Sequence, residues 1–189
     1  MLVLIRSANF KEWLGLFGIV LISSFSFAYS SNTLLYTSLL YSFNEDIAIM
    51  MSTINLLTTT IFLFAIWPIY ALLVKLSGDV MGIKIDFKSF MANWSVSFLF
   101  LAMGGILSIV VITVKADELL NLVSSGSQAR DVLENSDLRY LGMINTVLQL
   151  LMFIYAVKVL IDLSGEGFLK SFLCCVFPVV LILLVSYII

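Results

Sequence analysis

The chain has 189 residues, 61% of them hydrophobic and 12% charged, with a net charge of −2 and a mean hydropathy of +1.12. A soluble domain carries about 25% charged and 45–50% apolar residues, so the composition excludes a soluble globular domain, a disordered chain and a disulfide scaffold. A pI near 5.0 with only three arginines excludes a nucleic-acid binder, which needs a basic stripe against phosphates.

Five runs carry no charge: Trp13–Asn44, Ile47–Val74, Ser89–Val114, Tyr140–Val157 and Ser171–Ile189, together 123 residues. About 20 residues of α-helix cross a hydrocarbon core, and lipid offers the backbone no hydrogen-bond partner. The expectation is an all-α membrane bundle, a single transmembrane domain over 1–189, with spans near 13–31, 49–74, 89–114, 140–160 and 171–189. A β-barrel is disfavoured because runs such as Leu181–Val185 lack the alternation of its strands.

In chain order, Arg6 and Lys11 precede an apolar stretch, and Ser26-Phe27-Ala28 resembles a signal-peptide cleavage site. We read an uncleaved first span, because apolar sequence continues well past Ala28. Thr33–Phe43, with Tyr36 and Tyr41, reads as an interfacial segment or a helix extension. Asn44-Glu45-Asp46 is a turn before the second span, and Lys75–Lys88 is a polar loop. After the third span, 115–139 is an outer polar loop in which Gln128–Asn135 is expected to form a short surface helix. Leu163–Lys170 joins the fourth span to the fifth.

Lys and Arg counting sets orientation. With the N-terminus inside, Arg6, Lys11, Lys75, Lys84, Lys88, Lys158 and Lys170 lie inside, and Lys115, Arg130 and Arg139 outside. Seven against three predicts a cytoplasmic N-terminus and an extracytoplasmic C-terminus. An internal echo agrees: Leu76-Ser77-Gly78-Asp79 recurs as Leu163-Ser164-Gly165-Glu166, and each copy leads to a Lys-Ser-Phe span opening, at Lys88 and at Lys170. Two hairpins of one polarity result, a parallel repeat.

At these hairpins the chain resembles the Yip-one domain family, the Rab-interacting type of five-span membrane protein. The residues that carry the resemblance are the Leu-Ser-Gly-acid loop with Phe87-Lys88-Ser89-Phe90, and Leu148–Leu163 leading to Gly165, Lys170 and Pro178. It covers roughly Ile49 to Ile189. The resemblance implies five spans, a cytoplasmic N-terminus and a non-enzymatic role: Rab GTPases and vesicle traffic for eukaryotic members, ABC-type export systems for some bacterial ones. Eukaryotic relatives carry a substantial cytoplasmic N-terminal region. Here about twelve residues precede the first span, so a bacterial-type member is expected.

No His is present, and neither GxSxG nor HExxH occurs, so no catalytic residue, cofactor or metal ligand is assigned. The adjacent Cys174 and Cys175 fit no metal spacing, and the outer acidic residues fit no Ca²⁺ loop. Candidate intramembrane polar or packing residues are Asn55, Asn93, Gly104, Ser108, Asn145 and Gln149. Asn93, Ser97, Gly104 and Ser108 are expected to form one stripe, and Gly142, Asn145, Gln149 and Ala156 another. Candidate contacts of the cytoplasmic hairpins are Gly78, Asp79, Lys88, Lys158, Asp162, Gly165, Glu166 and Lys170. Lys158 and Asp162, one turn apart, are expected to pair. Pro68 and Pro178 mark possible kinks, and Cys174-Cys175 a possible S-acylation site.

The reading is a multi-pass protein of the plasma membrane, an accessory or assembly factor that contacts the bilayer and other membrane proteins, such as an exporter, or itself. A small oligomeric transporter or channel is the alternative. An intramembrane Ser–Lys enzyme working through Lys158 or Lys88 is the remaining one.

Overall fold

The computed structural model describes residues 10–42, 44–115 and 138–188. These form six helices: α1 (Phe10–Ser42), α2 (Glu45–Val80), α3 (Phe87–Ser95), α4 (Phe98–Val114), α5 (Leu138–Ser164) and α6 (Phe168–Ile188). No strand occurs among the described residues. Four helical segments are long and apolar enough to cross a membrane: Lys11–Thr33, Glu45–Val80, Phe87–Val114 and Tyr140–Ser164. Phe168–Leu181 of α6 is a shorter apolar helix. Large apolar side chains such as Ile22, Ile54, Ile61, Ile106 and Ile154 stand exposed along them, as a lipid-facing surface requires. The described residues are therefore helical and suited to the membrane.

Helix ends follow local chemistry. Asn44 accepts from the Ile47 amide at 3.0 Å and opens α2. Asp86 caps α3, accepting from the Ser89 amide at 2.9 Å. Gly82 and Gly165 adopt φ of +74° and +71°, the left-handed conformation that ends α2 and α5 at little steric cost. The helices overrun the expected spans. α1 continues through Ser42, which makes the Thr33–Ser42 part of the ambiguous segment a helix extension. α2 reaches Val80 rather than Val74, with a Lys75–Asp79 ion pair of 2.6 Å along the added turn. The expected surface helix over Gln128–Asn135 lies outside the described residues.

One expectation about continuity is corrected. Pro68 and Pro178 lie inside α2 and α6, which run on past them. The third span instead breaks into α3 and α4 at Val96-Ser97, where the Val96 and Ser97 amides bond three residues back, to Asn93 O and Trp94 O. At the break Ser95 Oγ donates to Ala92 O at 2.6 Å and Ser97 Oγ to Trp94 O at 2.7 Å, sharing the carbonyls of the last turn.

The described residues pack as two compact units, those within Met1–Val20, Phe64–Phe98 and Leu150–Ile189, and those within Leu21–Leu63 and Leu99–Gln149. The first is aromatic. Phe17 and Trp67 meet edge to face at 5.0 Å, and Tyr70 lies 4.5 Å from Trp94. Trp67 Nε1 donates to Met91 O at 3.0 Å, on a carbonyl close to the break, and the Tyr70 hydroxyl donates to Cys175 O at 3.0 Å. The second is built of small residues, with Ser23, Ser24, Ala28, Gly104, Gly105 and Ser108 buried. Small residues let helix backbones approach closely where lipid removes the hydrophobic drive. At Gly105 the approach is extreme: an added Cβ would lie 2.7 Å from Ser26 C and 2.8 Å from Phe27 N.

Candidate functional site

Within Leu21–Leu63 and Leu99–Gln149, the candidate polar residues form two contacts between helices. Asn145 Nδ2 of α5 donates to Ser108 Oγ of α4 at 3.2 Å. Its Oδ1 lies over Gly104, 2.5 Å from where a Cβ would stand. Gly104 and Ser108, one turn apart, thus make a seat for a single carboxamide. Asn55 Nδ2 of α2 donates to Asn32 Oδ1 of α1 at 3.3 Å. Asn32 was not among the residues singled out from the sequence. Its signal was an amide inside a charge-free run that proves to be helix.

The first expected stripe is interrupted, whereas the second lies along the uninterrupted α5 with uneven burial. Asn93 is buried in the aromatic unit, with its Nδ2 on Ser89 O at 2.7 Å. The break at Val96-Ser97 ends the helical phase that would have joined it to Gly104. Along α5, Asn145 is half-buried and Ala156 buried, whereas Gly142 and Gln149 are exposed. Thr60, on the second span, is buried and donates to Leu56 O at 2.8 Å.

The turns of the aromatic unit carry the charged candidates. Lys158 and Asp162 pair at 3.4 Å as expected, and Glu166 pairs with Lys170 at 3.1 Å. These pairs are largely exposed, and each contributes about 0–1 kcal/mol. Lys88 is exposed at the first turn of α3. Gly78 is not a turn residue: it is buried within α2, and a Cβ there would collide with the Ile85 side chain, so its role is to let the chain fold back over the helix.

The helix ends also revise the internal repeat. Gly165 corresponds in conformation to Gly82, not to Gly78. In that register Lys75 and Asp79 match Lys158 and Asp162, each an i,i+4 ion pair three residues before the turn glycine. Five residues then lead to Lys88-Ser89-Phe90 and four to Lys170-Ser171-Phe172. The next matches set Val96, at the helix break, against Pro178.

Ser89, through its hydroxyl and then its amide, holds the Asp86 carboxyl below the usual carboxylate range. Cys174 and Cys175 are free and fully buried, with Cys174 Sγ 3.4 Å from Met81 Sδ, so neither thiol is presented for S-acylation. Among the described residues no three His, Cys, Asp or Glu side chains gather as a metal site. No family model, curated protein or solved structure matches the chain.

Proposed function

We propose that the chain is a non-enzymatic, five-span protein of the plasma membrane, with its N-terminus cytoplasmic and its C-terminus on the opposite side. It acts as an accessory or assembly factor for other membrane proteins such as an ABC-type exporter. The Yip-type resemblance of its hairpins motivates this role. α6, at 21 residues, has the length of a fifth span. One observation carries the reading: Asn55 and Asn145 spend their amides on neighbouring helices, at Asn32 and Ser108, the use expected of packing contacts. Affinity capture from detergent-solubilised native membranes tests it. Reproducible co-purification of a multi-span transporter subunit is expected, and recovery of this chain alone refutes it. Reporters fused at the two ends are expected in opposite compartments.

A second reading, an oligomeric transporter or channel, draws on the discontinuous third span, because broken helices line substrate paths in many transporters. Solute flux in proteoliposomes, lost on Asn145→Leu, would establish it.

A further inference from the structure

We infer that α5 carries a self-association face centred on Gln149, and that its occupant is a second copy of this chain. Gln149 lies near the middle of the uncharged stretch Tyr140–Val157, about 14 Å along the axis from one end and about 12 Å from the other at 1.5 Å per residue. It is exposed on the chain's own surface and makes no hydrogen bond to any described residue. At that depth lipid supplies no donor or acceptor, and an unpaired carboxamide is costly. The other exposed polar group on this face is satisfied internally: Thr146 Oγ1 donates to Gly142 O at 2.9 Å. Gln149 therefore sets the demand for a partner.

A second copy meets that demand best, on grounds of depth and of complementarity. A copy inserted with the same topology carries Gln149 at the same depth. A carboxamide both donates and accepts, so two of them across a two-fold axis satisfy each other reciprocally. Gly142, Thr146 and Gln149 follow at spacings of four and three on one side of α5. A Cβ added at Gly142 would meet nothing within 4 Å, so a partner backbone has room to approach two turns away from the amide. The flanking Met143, Val147 and Leu150 are exposed and apolar, and lipid solvates them as well as a protein would, so they do not choose the partner.

The test uses the purified full-length chain in phospholipid vesicles at several protein-to-lipid ratios, read by energy transfer between labelled copies. The inference rests on reading α5 as a span. Wild type is expected to dimerise, Gln149→Leu to dimerise about tenfold more weakly, and Gln149→Asn to lie between them. In parallel, Gly142→Cys is expected to crosslink between copies and Ile144→Cys, on the far exposed side, is not. The native thiols are buried, and the Gly142 position is open enough to leave folding intact. A wild-type monomer in vesicles, undiminished pairing of Gln149→Leu, or equal crosslinking at both positions overturns the self-association face and leaves the accessory role standing. A chain that stays out of the vesicles overturns the span reading and this inference together.

Discussion

Gly105→Ala adds one methyl group where α4 meets the backbone of α1. The new Cβ would lie 2.7 Å from Ser26 C and 2.8 Å from Phe27 N and Ser26 O. Ordinary contact begins near 3.4 Å, so the two helices must part by about 0.7 Å, and backbone atoms cannot rotate aside as a side-chain tip would. A gap of that size forfeits about a quarter to a half of each contact's attraction around the site. Overpacking of this kind costs about 1–3 kcal/mol. Alanine also returns about 0.5–1 kcal/mol of helix stability. Gly15→Ala in α1 is the control, because a Cβ there meets nothing within 4 Å and only the helix gain remains. The difference between the two variants isolates the steric cost, expected at about 1–3 kcal/mol. Reversible unfolding in mixed micelles, followed by helical circular dichroism, measures it. Equal stability of Gly105→Ala and Gly15→Ala would refute the close approach of α1 and α4.

A double-mutant cycle of Asn145→Leu with Ser108→Ala should give a coupling of about 0.6 kcal/mol, the usual size for a hydrogen bond between membrane helices, and zero coupling would separate the two side chains. Trp67→Phe keeps most of the ring packing but removes the donor to Met91 O, and is expected to cost about 1–3 kcal/mol in the same unfolding assay. Asp86→Ala should cost about 1 kcal/mol at neutral pH through loss of the α3 cap. Because the folded carboxyl titrates below its usual range, the cap's contribution is complete above the ordinary carboxylate pKa and is lost as pH falls through the lower, folded value. The gap between wild type and Asp86→Ala should therefore close in acid, and a gap independent of pH would assign the cost to something other than the carboxylate.

Composition and hydropathy alone determined that the chain is helical and suited to the membrane, because a backbone in hydrocarbon has to satisfy itself one residue at a time along the helix. Local spacing was equally legible. Lys158 and Asp162, four residues apart, pair because a helix turn brings them together, and Gly104 and Ser108 share a face for the same reason. Neighbours distant in sequence were decided by tertiary structure. That Asn145 sits on Gly104 and Ser108, that Asn32 answers Asn55, and that Gln149 is left facing outward depend on how each helix rotates against another, and no periodicity within one helix encodes that rotation. The helix ends belong to the same class. Gly78 reads like Gly165 in a four-residue motif, yet Ile85 folds over Gly78 within the helix while Gly82 takes the turn. The break at Val96-Ser97 was not legible either, since no proline or glycine marks it and hydroxyl bonds of the same kind, such as Ser52 to Ile49 O, occur within an unbroken helix.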